Sequence, residues 1–255
     1  MTGAPARVDL HVKVLTKRVV DRAKARGLDA VVYAPHFRRL PEIRERAARF
    51  SEAELTVIPA REVFTGSWQN RKHVLGIGLE EPIPDFITLD GAIEELTRQE
   101  AAILVPHPTF LTVSLSAADL RARRDRIHAV ETYNPKHWPH HNRRARALQG
   151  ELGIPAFTSS YAHLGATVGE SWTVFPGLDP TEAALRSALR SGHPRSVERR
   201  RGAGHQLHCA LEFGHLCVEN TWKKFDRVLL SGPEATHPGR PAYRGRFDDV
   251  RVDTT

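Results

Sequence analysis

The sequence predicts an α/β protein built on a barrel-like sheet. Short β-like runs alternate with helical segments, the order that parallel βαβ units produce. Seven such runs stand out before the character of the chain changes at Gly192, a tally that suits a closed sheet better than an open one. Histidines and glutamates recur at the ends of those runs, where the side chains of a parallel sheet converge on one crevice.

Arg7–Val12 is the first strand, followed by a helix over Thr16–Arg26 that Gly27 ends. Leu28–Tyr33 is the second strand, and Pro41 occupies a first-turn position in the helix Pro41–Phe50. Leu55–Pro59 and His73–Leu79 are strands three and four. Leu89, Ile93 and Leu96 share one side of the helix around Asp90–Glu100. Ala102–Pro106, His128–Thr132 and Ile154–Ser159 are strands five to seven. They are separated by the helix Ser116–Arg124, capped by Ser116, and the helix His141–Leu152, closed by Gly153. Ser171–Phe175 offers a further short strand and Pro180–Ser191 a further helix. Beyond the charge run Arg195–Arg201, Leu207, Leu211, Gly214, Val218, Trp222, Phe225 and Leu229 form one face of a helix over His205–Leu230. The expected division is a barrel over 1–195 and a helix and tail over 196–255 packed on it. The Pro- and Gly-rich tail from Ser231 should wrap the surface or be mobile.

With 255 residues, 40% hydrophobic and 26% charged, the chain can bury a large core and is not a disordered one. It has no apolar run long enough for a membrane span, and MTGAPARVDL has no apolar signal core. A cytoplasmic protein with reduced Cys209 and Cys217 is therefore expected. The net charge of +7 favours anionic partners, although solubility alone also accounts for it.

The strand ends read Asp9-Leu10-His11-Val12-Lys13, Ala34-Pro35-His36, Ala60-Arg61-Glu62, Pro106-His107-Pro108, Glu131-Thr132-Tyr133-Asn134 and Ser159-Ser160-Tyr161-Ala162-His163, with His73 opening strand four. Neutral imidazoles with a carboxylate suit Zn, Mn or Fe. Such a site would activate water and clamp a phosphate oxygen.

The ordered set resembles the PHP superfamily, named for polymerase and histidinol phosphatase. DLHVK is similar to its D-L-H-x-H opening, and LDAVVYAPHF to its second motif through His36. VIPAREV is similar to its P-G-x-E through Glu62, and His73-Val74-Leu75-Gly76 to its H-x-L-G. VPHP, Glu131 with Asn134, and SYAH with Ser160 and His163 complete the series. The resemblance runs from about Val8 to His163. It implies a distorted (β/α)7 barrel of the PHP type, here with a C-terminal helical extension, and up to three metals at the strand ends. Its members include histidinol phosphatases, nucleoside phosphate phosphoesterases, exonucleases and polymerase proofreading domains.

Two departures bear on that implication. Lys13 stands where the opening motif has its second histidine, and Tyr161 where the last motif has aspartate. Those two family residues bind the same metal, so that position retains only His11 and Glu62. A protonated lysine has no lone pair to donate. The position is thus expected to be vacant or taken by the Lys13 ammonium, which would neutralise Glu62.

The function expected from the resemblance is a metal-dependent phosphoesterase. His11, His36, Glu62, His73, His107 and His163 are its candidate metal ligands, and His11, Glu62, His107 and His163 its candidate catalytic residues. Lys13 and Arg61 are candidates for phosphate contact. Fewer than three divalent ions (Zn, Mn or Fe) are expected. The substrate would be a phosphorylated small molecule, a nucleotide or a short nucleic acid. The alternative is a barrel that has lost catalysis and binds a phosphorylated ligand or a partner protein. A nucleic-acid module without chemistry has only the charge in its favour.

Other candidates carry two readings each. His137, His140 and His141 lie in a loop that either faces substrate, with Lys136 meeting phosphate, or simply turns into a helix. Trp68 either stacks a base or packs across the barrel mouth. His205, His208, Glu212 and His215 fall near one helix side, which invites a metal reading, but the apolar face explains that helix as a packing element. Arg199–Arg201 reads as an exposed charged bend, or as a contact to a nucleic-acid backbone.

Overall fold

The computed structural model describes residues 3–110, 113–226 and 234–252, the side chains of 216–226 excepted. Its described residues contain one nine-stranded sheet in the order β7-β6-β5-β4-β3-β2-β1-β8-β9. The strands are β1 Ala6–Val12, β2 Ala30–Tyr33, β3 Thr56–Gly66, β4 Arg71–Ile77, β5 Ala102–Val105, β6 Ala129–Tyr133, β7 Ala156–Thr158, β8 Ser171–Phe175 and β9 Ser196–Arg199. The helices are α1 Lys17–Ala25, α2 Leu40–Phe50, α3 Leu89–Arg98, α4 Ala117–Ala122, α5 Pro139–Leu152, α6 Glu182–Arg190 and α7 Ala203–Asp226.

The expected α/β barrel is present, but it is not wholly parallel. β1, β2 and β3 run parallel, as do β5, β6 and β7. β4 is antiparallel to both its neighbours, and β8 to β1 and β9. The reason lies in β3, which runs on past Pro59 to Gly66 and turns back directly into β4. Gly66 makes that turn at φ +78°, where a Cβ would come within 2.2 Å of the Asn70 carbonyl oxygen. The charge run Arg195–Arg201 contains β9.

The interior is packed by alternate residues of each strand. Val8 and Leu10 of β1, Val32 of β2, Ile58 and Ala60 of β3, Leu75 and Ile77 of β4 and Leu104 of β5 share one buried cluster. Leu185 and Leu189 of α6 join it. Arg186 of α6 approaches Gly78, just past the end of β4 opposite His73, so α6 closes the far end of the barrel. The seam opposite is closed near the rim. Asp9 accepts hydrogen bonds from the backbone N–H groups of Ser160 and Gly169, both at 2.9 Å. Val12 and Ala162 form a bridge beside it.

Tyr243 and Phe247 are buried in the outer core beside Leu89, Ile93 and Leu96 of α3. Helix α7 departs from its expected orientation. Leu207 and Leu211, on the face expected to pack, are 59% and 48% exposed, whereas His205 and Glu212 are buried. The helix docks through polar contacts: His205 and His208 reach Glu170, and Glu212 reaches the loop after β7. Val218, Trp222, Phe225 and Leu229 lie outside the described side chains.

Candidate metal centre

The alternation that fills the barrel also aims its rim residues inward. On β3, Glu62 follows Ile58 and Ala60 on the inner face. On β4, His73 precedes Leu75 and Ile77 on that same face. β1 needs an irregularity to do this. Its register shifts between Asp9 and Val12, so Val12 joins an outer cluster, leaving His11 and Lys13 to meet Glu62. His107 holds its place with φ +35° and Tyr161 with φ +46°, left-handed conformations uncommon for residues with a Cβ and typical of functional sites.

Glu62 is the hub, and its two oxygens serve different neighbours. Oε1 lies 3.2 Å from His73 Nδ1 and 3.1 Å from His107 Nε2. Oε2 lies 3.1 Å from His36 Nδ1 and 3.7 Å from His11 Nε2, and it accepts a short hydrogen bond from Lys13 Nζ. Lys13 Nζ also donates to the Ala34 carbonyl at 2.6 Å. Burial opposes the charged form of Glu62. The Lys13 ammonium outweighs it and holds the carboxyl well below its ordinary value. His11 is pushed down to about 3 by burial and then by Lys13. His107 is lowered by burial against the pull of Glu62. Both rings are therefore neutral, with lone pairs available.

His163 sits next to this group. Its ring centroid is 6.1 Å from that of His36 and 4.9 Å from that of Tyr161. Its Nδ1 meets the Lys136 ammonium in a short contact and lies 3.1 Å from the Tyr161 carbonyl. Lys136 is buried, 3.1 Å from Glu212 and 4.3 Å above the Tyr161 ring. Lys13 lies 5.6 Å from the same ring, so two ammonium groups flank Tyr161.

Arg61 does not join the site. Because β3 is extended through this point, Arg61 and Glu62 project to opposite faces. Arg61 is fully buried against Asp85 at 3.0 Å, so phosphate contact by Arg61 is corrected to a structural ion pair. Lys136, offered as a phosphate contact, is instead turned inward to His163 and Glu212. Trp68 packs with Phe37, Phe64 and Phe86 at centroid distances of 5.8, 5.0 and 4.9 Å. His137 stacks on Phe110 at 4.0 Å, with its ring 6.4 Å from that of His107. Glu131 accepts from the His107 backbone N–H, Asn134 and Ser159, and so holds the loop that carries His107. Glu212 is the contributor that sequence reasoning named and set aside. It was visible only as part of a polar helix side, and the apolar residues around it argued for the opposite packing.

Glu62, His73 and His107 each offer one ligand atom, all within 4.8 Å of one another. Both ring nitrogens of His11 and of His73 are buried without a hydrogen-bond partner. Buried polar atoms are rarely left so, and ligation is one way to satisfy them. The donor set fits a divalent ion at Glu62, His73 and His107.

Residues 139–194 match the PHP-associated family. Three solved structures share the fold. PsfC from Pseudomonas syringae is 17% identical, with a TM-score of 0.62 over 88% of this chain and 99% of that one. A lesion-specific endonuclease from Pyrococcus furiosus is 16% identical, TM-score 0.57, over 76% of this chain and 57% of that one. A protein classed as a metal-dependent phosphoesterase from Bifidobacterium adolescentis is 12% identical, TM-score 0.52, over 71% and 96%. No curated protein sequence matches the chain. The barrel and these neighbours give the chain a fold of the PHP type, and its segment 139–194 resembles the PHP-associated family.

Proposed function

We propose that the chain is a metal-dependent phosphoesterase whose site pairs one divalent ion with a lysine. The observation that carries this reading is the division of Glu62, with His73 and His107 on Oε1 and Lys13 on Oε2. A divalent ion held by Glu62, His73 and His107 supplies Lewis acidity toward a phosphoryl oxygen and toward water. Lys13 keeps Glu62 ionised and supplies positive charge where the resemblance implies a second ion. His36 is the most open member of the cluster, at 13% side-chain exposure, and faces the entering substrate. His163, held by Lys136, is the residue that would pass a proton to the departing oxygen. Phe64, whose ring lies 4.8 Å from that of His73, and the His137–Phe110 stack flank the cluster.

The Lys13–Glu62 contact also favours a second reading, in which catalysis is lost and the site only binds a phosphorylated ligand. Metal analysis separates the two. The protein purified without added metal, and after loading with Zn, Mn or Fe, should hold about one ion per chain and hydrolyse an aryl phosphate. His73→Ala and His107→Ala should each lose the ion and the hydrolysis. No ion under any loading condition defeats the enzyme reading.

A further inference from the structure

Helix α1 leaves the rim three residues after Lys13, where Thr16 caps it, and the turn Gly165–Thr167 leaves it two residues after His163. Between these two walls runs a cleft of about 870 Å³. Arg18, Arg22 and Arg26 line it from α1, and Gly165 and Ala166 form the small-residue wall opposite. The arginines are four residues apart, so they lie along one helix face about 6 Å from one another. That is close to the separation of successive phosphates along an extended strand.

Charge in the cleft is unbalanced. Asp21 also lines it, but its carboxylate is taken by Lys17 at 2.6 Å. Among the described residues, Arg18 and Arg22 have no carboxylate partner. Arg26 is anchored by Glu170 at 2.6 Å and by the Val168 carbonyl at 2.7 Å. Arg200, at the end of β9, continues the row. Its backbone N–H donates to the Glu170 carbonyl, and its charge acts on Arg26 together with that of Arg22. Guanidinium groups bind phosphate bidentately, and a row of them tracks a backbone rather than a single ion. A mononucleotide engages one step of such a row. A chain of phosphates engages all of it while one phosphodiester lies at Glu62.

We propose that the Arg18–Arg22–Arg26 face of α1, extended by Arg200, binds the sugar–phosphate backbone of single-stranded nucleic acid and leads it to the metal centre. The phosphoesterase reading supplies the reaction at the end of this track, and the track itself makes only sequence-independent phosphate contacts.

The test is fluorescence anisotropy with a labelled single-stranded oligonucleotide in chelator, so that no hydrolysis is needed. The Arg18→Ala/Arg22→Ala double variant should bind at least tenfold more weakly. Its log–log salt slope should fall by about 1.4, given about 0.7 per phosphate contact on a single strand. An Arg143→Ala/Arg146→Ala variant removes the same charge from exposed positions on α5 and should bind like the wild type. Arg18→Glu/Arg22→Glu should bind more weakly still. Equal losses in the α1 and α5 doubles would mean net charge alone, and wild-type affinity in the α1 double would remove the track. Tighter binding of an acidic peptide of the same charge would also overturn the proposal. Metal content is measured separately: a track without an ion at Glu62 would defeat the phosphoesterase reading and leave this one standing.

Discussion

Lys13 and Glu62 meet inside the barrel rim as a buried ion pair formed between β1 and β3, with side-chain exposures of 4% and 0%. The pair holds one oxygen of the carboxylate proposed to bind the ion in a fixed internal salt bridge. Glu62 keeps one oxygen for His73 and His107 and gives the other to the ammonium. Charge is conserved at the position while ligation is not, since an ammonium neutralises a carboxylate but donates no lone pair.

Removing the ammonium should therefore be costly. Lys13→Met leaves Glu62 buried and uncompensated, and breaking a buried pair from one side costs about 3–5 kcal/mol. Denaturant unfolding in chelator should show that loss. Divalent metal should restore part of it, because a cation can then occupy Glu62 Oε2 together with His11. A variant as stable as the wild type in chelator would show that the pair does not compensate Glu62.

Restoring the pattern implied by the resemblance requires two changes. Lys13→His alone leaves Tyr161 in the ligand's place, and Tyr161→Asp alone gives the ammonium a second carboxylate to pair with. The double change assembles His11, Glu62, an imidazole and a carboxylate, enough for a tetrahedral ion. The substitutions share one site, so their effects should be non-additive. Metal per chain should rise by about one ion in the double variant only, measured by elemental analysis. Equal metal in wild type and double variant would contradict the assignment of this position to Lys13.

The site was legible where strand alternation carries it. Glu62 and His73 lie on β3 and β4, where alternation turns them to the inner face, whereas His36 and His107 lie past the ends of β2 and β5 and were legible from sequence order alone. Arg61 was misplaced because β3 was read as ending at Pro59. A strand that continues turns Arg61 and Glu62 to opposite faces, whereas a loop would let both face the cavity. The antiparallel β4 was hidden for the same reason, since a tight β3–β4 turn leaves no room for the crossover that a parallel pair requires. Helix α7 misled in a different way. Its apolar periodicity is real, but periodicity identifies a face without saying what that face meets. The polar side won because Glu170 and the backbone N–H groups after β7 needed partners.

Glu212 should report on that choice. It accepts from the N–H groups of His163 at 2.9 Å and Leu164 at 2.8 Å, and it pairs with the buried Lys136. Glu212→Gln retains an acceptor for the backbone but takes from the ammonium its carboxylate. Stability should fall by about 3–5 kcal/mol, while the ion at Glu62, His73 and His107 is retained. Combining it with Lys136→Met removes both charges and should recover much of the loss. Full additivity in that double-mutant cycle would show that Lys136 and Glu212 are not energetically coupled.

The remaining prediction concerns acid. Burial opposes the ionised form of Glu170, but hydrogen bonds from His205 and His208 and the charge of Arg26 overcome it and lower its pKa from the ordinary 4.5. A carboxylate whose folded pKa is depressed stabilises the fold fully above its unfolded value and loses that contribution as pH falls through the folded one. Glu170 fastens Arg26 at the wall of the cleft and the first turns of α7 at once. The wild type should therefore exceed Glu170→Gln in stability at pH 7. The gap should close progressively below about pH 4.5, where the unfolded chain begins to take up the proton that the folded one resists. Proteolysis within α7 should accelerate over the same range in the wild type, and at pH 7 already in the variant. A stability gap that stays constant from pH 7 to pH 3 would show that Glu170 holds the helix through shape and hydrogen bonds rather than through its charge.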